Sequence, residues 1–95
     1  MAFDFEQVHN YHERVVFEAV ARLSTSHPDF DSGMLADVAC MTLNRLPVRY
    51  VRHDVDMMFY LTEKERTAMD KAIDEALSYA FAYVGQRANR PLVST

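Results

Sequence analysis

Apolar side chains recur at spacings of three and four near the start of the chain, at Phe5, Val8, Tyr11, Val15, Val16, Phe17, Val20 and Leu23. That period lays them on one face of a helix over roughly residues 4–24. The stripe is wide, because Phe17 lies off the line of Val16 and Val20, so this helix is expected to pack against more than one neighbour. Ser24-Thr25-Ser26-His27-Pro28 then brings side chains that compete for backbone hydrogen bonds and a proline that disfavours helix before it. Asp31 or Ser32 can cap a second helix over about residues 33–46, with Leu35, Val38, Ala39, Leu43 and Leu46 on one face and Pro47 as its stop.

The period changes from Val48 to Leu61. Val48, Tyr50 and Val51 precede the polar Arg52-His53-Asp54, and Met57, Met58, Phe59 and Tyr60 follow, a pattern of extended chain or a short hairpin. Thr62-Glu63-Lys64-Glu65 has the form of a capping box, in which the Thr62 hydroxyl and the Glu65 carboxylate each accept from a free amide. A long third helix follows, with Met69, Ile73, Leu77, Phe81 and Val84 as its core line. Ala68, Ala72, Ala76 and Ala80 form a small-residue stripe beside it that permits close approach. Gly85 and Pro91 mark its end and the tail. The expected architecture is one mainly α domain over residues 1–95: a compact three-helix fold with a short extended segment between helices two and three.

Length and composition narrow the picture. Ninety-five residues leave no room for a separate catalytic lobe, and 49% apolar with 25% charged residues is the balance of a folded domain. A single core this small is marginal alone. Self-association is therefore expected, and the wide stripe of helix one with the alanine line of helix three points to a homodimer, with Tyr79 and Tyr83 at its seam. Cys40, the one cysteine, has no disulfide partner, which favours a reducing compartment. The start Met1-Ala2-Phe3-Asp4-Phe5-Glu6 lacks the basic and apolar regions of a signal peptide, and no apolar run approaches the roughly 20 residues of a membrane span. A soluble, cytoplasmic protein that does not enter membranes is expected.

A net charge of −4 argues against general binding of DNA or RNA, which needs a broad positive surface. The distribution says more. Residues 1–44 carry Arg14 and Arg22 against seven acidic side chains, whereas residues 45–53 carry Arg45, Arg49 and Arg52 with no acid. A local cationic site sits in an acidic protein.

Catalytic signals are weak by comparison. Cys40 has no positive neighbour in sequence to lower its pKa and is read as a small buried hydrophobe. No phosphate-binding glycine loop or nucleophile elbow is present, and the chain has only two glycines. His9, His12 and Glu13 share one turn and could offer metal ligands, yet without a third partner a solvated polar face explains them better. His53, Asp54 and Asp56 read as a polar turn. Met57 through Tyr60 read as core or interface. No catalytic group, metal ligand or cofactor is assigned.

The most specific stretch runs Asp37-Val38-Ala39-Cys40-Met41-Thr42-Leu43-Asn44-Arg45-Leu46-Pro47-Val48-Arg49-Tyr50-Val51. It resembles the ComFB (late competence development) family at Asp37, Val38, Leu43, Asn44, Leu46, Pro47, Tyr50 and Val51. Two departures stand out: Val48 replaces the family's second proline, and the cysteines that many members carry before the aspartate are missing from residues 29–36. A metal role resting on those cysteines is not inherited.

The resemblance implies a homodimeric, non-enzymatic regulatory receptor for a cyclic dinucleotide second messenger, with cyclic di-GMP favoured, linked to competence or motility and signalling through an unidentified protein partner. The residues are compatible with that chemistry, since arginine pairs bidentately with phosphate or a guanine edge and stacks on purines. Arg45, Arg49, Tyr50 and Arg52 are the candidate ligand-binding group, converging where Pro47 redirects the chain. Asp37, Asn44 and Pro47 are assigned structural roles in capping and loop fixing. The alternatives are a ligand-free protein-interaction adaptor and, less well supported, a small metal-dependent enzyme using His9, His12 and Glu13.

Overall fold

A computed structural model describes residues 3 and 5–89. The chain is mainly helical, as the periodicity implies, with four helices and a two-stranded sheet among the described residues.

Strand β1 (His9–Asn10) leads directly into helix α1 (Tyr11–Leu23). The helix starts later than the apolar pattern predicts, because Asn10 is its cap. The Asn10 side chain accepts from the His12 amide, and the Asn10 amide donates to Glu13, 3.2 Å in each case. Phe5 and Val8 belong instead to a turn closed by the Val8 amide on the Phe5 carbonyl, and both are exposed. Helix α1 buries His12, Val16, Ala19 and Val20, while Phe17 stays exposed. A 3-10 turn at Ser24–Ser26 ends it, with the Ser24 hydroxyl donating to the Ala21 carbonyl.

Helix α2 (Ser32–Arg45) is capped by Asp31, whose carboxylate accepts from the Met34 amide at 2.8 Å. It buries Val38, Ala39 and Thr42 and ends at buried Leu46, where the backbone turns extended ahead of Pro47. The segment that follows does not fold on itself as a hairpin. Its strand β2 (Tyr50–Val51) pairs antiparallel with β1, Val51 opposite His9 and Tyr50 opposite Asn10. Next comes a single-turn helix α3 (Asp56–Tyr60) in place of extended chain. Of its apolar residues only Met57 is buried, and Met58, Phe59 and Tyr60 stand in solvent.

Helix α4 (Glu63–Asn89) starts on half of the expected capping box. The Thr62 hydroxyl oxygen accepts from the Glu65 amide at 3.1 Å, but the Glu65 carboxylate accepts from the Thr62 hydroxyl rather than from an amide. Gly85 does not end the helix. A Cβ there would lie 3.3 Å from Cζ of Phe30, so the glycine permits close approach, and that packing offsets the roughly 1 kcal/mol a helical glycine costs. Pro91 lies outside the described residues.

The core lies where α2 and α1 meet the C-terminal two-thirds of α4 and combines Val16, Val38, Ile73, Leu77, Ala80 and Phe81. The alanine stripe divides: Ala76 and Ala80 are buried in this core, whereas Ala68 is exposed. It is a seam inside the chain, so the Ala76 end is not available to a second copy. At the far end His27 stacks on Phe81, with centroids 4.3 Å apart, and Phe30 closes on both. The first two turns of α4 are largely exposed, and the fold measures 53 × 38 × 25 Å. Its radius of gyration of 16.0 Å exceeds the roughly 12 Å of a compact domain this long. No helix among the described residues is long and apolar enough to cross a membrane.

Candidate ligand-binding site

The segment after Pro47 is held against the start of α1 by the β1–β2 pairing and by the Asn10 side chain. The Asn10 amide oxygen that caps α1 also accepts from the Arg49 backbone amide at 3.2 Å, and the Tyr11 amide donates to the Arg49 carbonyl at 2.7 Å. Both backbone groups of Arg49 are thereby satisfied. Arg52 is held separately, its Nε donating to the Gln7 side-chain oxygen at 3.0 Å.

This anchoring brings Arg49, Tyr50 and Arg52 to one cavity of about 390 Å³, closed on the other side by Asp56, Met57 and Tyr60. Arg49, Arg52 and Asp56 are the charged residues of its lining. Tyr50 and Tyr60 are largely exposed and offer ring faces as well as hydroxyl groups. The set can bind an anion and stack a flat ring.

Arg45 does not join them. It sits over the Tyr79 ring, 3.9 Å from the centroid, and Tyr79 stacks on Tyr83 one turn further along. The last turn of α2 directs Arg45 toward α4, whereas the chain beyond Pro47 turns back to α1. Neither of the other two motif residues caps or fixes a loop. Asp37 lies in mid-helix, where amides already have partners, and beside Arg87 and the exposed Cys40; exposed Asn44 lines neither this cavity nor the one next to it. Asp31 and Asn10 carry those roles. The exposure of Cys40 also corrects its reading as a buried hydrophobe, because it lies on the open groove between α2 and α4, with Met41 and Tyr83, rather than in the core.

A second groove of about 290 Å³ adjoins the cavity, and Arg49 and Leu61 line both. Its walls are Leu46, Pro47, Met69 and Ala72, with Glu65 among them and His12 lining it as well. His12 is fully buried, and neither ring nitrogen has a hydrogen-bond partner. Burial holds its pKa below the ordinary value, the Arg49 charge adds to that, and the nearby Pro47 carbonyl opposes it without completing a hydrogen bond. The imidazole is therefore neutral at pH 7, with one donor and one acceptor nitrogen.

His9, His12 and Glu13 do not converge as ligands. His9 turns to Asp54 at 2.5 Å, and that contact, followed by the Gln7 carbonyl, raises its pKa. Arg14 bonds the other Asp54 oxygen at 3.3 Å. Among the described residues no group of three or more His, Cys, Asp or Glu is placed to hold a metal ion. Sequence reasoning treated His12 as part of a polar face, although its spacing of four from Val16 and eight from Val20 already put it on the buried line. The contributions of Met57, Tyr60, Leu61 and Glu65 were missed, since only the pairing of β2 with β1 brings them to the arginines.

Comparison with known proteins gives one match. The family model described as late competence development protein ComFB matches residues 9–88, a span that runs from β1 through nearly all of α4. No curated protein and no solved structure matches the chain.

Proposed function

The chain belongs to the ComFB family of late competence development proteins, which makes it a competence-related regulatory protein, and from that premise we propose that it is a non-enzymatic receptor for a cyclic dinucleotide, cyclic di-GMP above others. The observation that carries this reading is the meeting of Arg49, Tyr50 and Arg52 on one cavity, with Tyr60 opposite. A cyclic dinucleotide presents two phosphates and two purine faces. Arginine forks suit the phosphates, and tyrosine rings suit the purines.

In this reading the receptor is a cytoplasmic homodimer that passes its signal to a protein partner. The exposed side chains of α3, Phe59 at 80% and Tyr60 at 73%, supply apolar contact area that a single chain leaves uncovered. The same surface favours the second reading, an adaptor that binds protein without a small ligand. A thermal-shift panel of nucleotides separates the two. A specific ligand at one hundred times its dissociation constant stabilises the fold by about 2.7 kcal/mol, and an adaptor shows no such shift with any nucleotide. Sedimentation velocity tests the dimer: the wild type runs as a dimer at micromolar concentration and Phe59→Asp as a monomer, whereas a monomeric wild type removes this part of the reading.

A further inference from the structure

The chain before α1 grips the β2–α3 turn at two points, and one side chain links them. Nε2 of His9 lies 2.5 Å from a carboxylate oxygen of Asp54, and Nδ1 of the same ring lies 2.7 Å from the Gln7 carbonyl. The Gln7 side chain in turn holds Arg52, which donates to it through Nε at 3.0 Å. Asp54 stands at the start of α3, where its carbonyl accepts from the Met57 amide. A carbonyl oxygen only accepts, so Nδ1 must donate. Asp54 accepts on its other oxygen from Arg14 at 3.3 Å, and an ionised carboxylate likewise only accepts, so Nε2 must donate as well. A neutral imidazole has one N–H. Both contacts are made together only by the imidazolium.

We propose that His9 is a proton-operated clasp on the β2–α3 segment: charged, it holds Asp54 and Gln7 together and fixes α3, and neutral, it keeps only one contact and α3 loosens. The fold gives α3 few other holds. It is a single turn, Met57 is its one buried residue, and Arg66 reaches it from α4 at 3.5 Å, to the Met58 carbonyl. The β1–β2 pairing and the bond from the Arg49 amide to Asn10 do not involve the ring, so the change is confined to the turn and α3. The surrounding charges set its direction. Asp54 on the turn and then the Gln7 carbonyl raise the His9 pKa, partial burial opposes them, and Glu13 on α1 adds to the rise. Arg14, shared between Asp54 and Glu18, and Arg52 are the cations of this patch. The clasp is therefore closed at acid pH and opens as pH rises through a folded-state value above the ordinary one of about 6.5. Asp56, Met57 and Tyr60 line the arginine cavity from this segment, so the proton on His9 governs how firmly that part of the lining is held. The clasp works whatever the cavity binds.

Amide hydrogen exchange by NMR on the ligand-free protein, corrected for the intrinsic rate at each pH, tests this, with the His9 ring titrated in the same samples. Met57, Met58 and Leu61 report on α3, since their amides donate to the carbonyls of Asp54, Val55 and Met57. Their protection should fall at least about threefold as pH rises across the His9 midpoint, while that of Leu77 and Ala80 in the core holds. His9→Gln cannot change charge and should make α3 protection independent of pH. Asp54→Asn removes the anchor and should leave α3 at the low level of protection at every pH. His53→Gln, next to Asp54 in sequence, should keep the wild-type midpoint. Protection of α3 that stays constant while His9 titrates, or that falls as much in His9→Gln as in the wild type, would overturn the clasp. So would an equal fall at Leu77 and Ala80, which reports global unfolding, or a midpoint that moves in His53→Gln.

Discussion

The two ends of α4 do different work. Its C-terminal two-thirds lies in a core with α2 and α1, where Ile73, Leu77, Ala80, Phe81 and Val84 are all buried. Its first two turns, with the β2–α3 segment before them, leave Tyr50, Met58, Phe59 and Tyr60 in solvent and hold both grooves. At one end the core line of α4 is covered, and Tyr79 and Tyr83 are the aromatic side chains left exposed beside it. The other carries the buried His12 imidazole, two arginines on one cavity and open aromatic rings. Stability is thus concentrated away from the two grooves, and a change at one end is expected to leave the property of the other nearly intact.

The largest effect is expected in the core. Phe81→Ala removes a ring stacked on His27 and packed on Phe30 and should cost about 3–5 kcal/mol in denaturant unfolding. A cost below about 1 kcal/mol would show that the far end is not the stabilising region. Gly85→Leu is next. Its side chain would drive into Phe30 and should cost about 1–3 kcal/mol, with ligand affinity unchanged while the protein remains folded.

Changes at the other end have smaller effects on stability, and they appear as pH dependence. His12 has a lowered folded-state pKa, so the unfolded chain takes up its proton first as pH falls through about 6.5. Its contribution is intact above that pH and is lost progressively below it. His9 runs the other way: its pKa is raised, so its contribution is present at acid pH and is lost as pH rises through the folded-state value. His12→Phe should therefore flatten the acid side of a melting-temperature profile, and an unchanged slope there would contradict a buried neutral imidazole. The smallest effect is expected from Asp54→Asn. It should bring the His9 pKa, read by NMR titration, back toward its ordinary value and scarcely move the melting temperature, because the contact is solvent-accessible.

The same division explains what could be read from the sequence. The core end was legible because burial imposes a period: Val38 with Ala39, and Ile73, Leu77, Phe81 and Val84, fall on their faces as spaced. Caps at Asp31 and Thr62 were legible from local chemistry, although Glu65 bonds the hydroxyl instead of an amide. The end with the two grooves depends on contacts between residues 39 and 45 positions apart, Asn10 with Arg49 and His9 with Asp54, for which local spacing carries no signal. Of the three arginines read as one cluster, Arg49 and Arg52 line one cavity, whereas a change of direction at Pro47 sends Arg45 to Tyr79. Likewise the four-alanine stripe looked like an external surface, while the α2 contact makes half of it core.

The central claim is that Arg49 and Arg52, but not Arg45, bind the ligand at the end of the molecule that contributes least to stability. Titration calorimetry of cyclic di-GMP against the wild type and the three arginine-to-alanine variants tests it most directly. Arg49→Ala and Arg52→Ala should each lose about 1.5–3 kcal/mol of binding free energy at a nearly unchanged melting temperature. Arg49→Lys should recover part of that loss, since it keeps the charge without the planar fork. Arg45→Ala should bind as the wild type does and lose only the contact with Tyr79, about 0.5–1 kcal/mol of stability. Unaltered affinity in Arg49→Ala and Arg52→Ala, or a loss confined to Arg45→Ala, would contradict the claim.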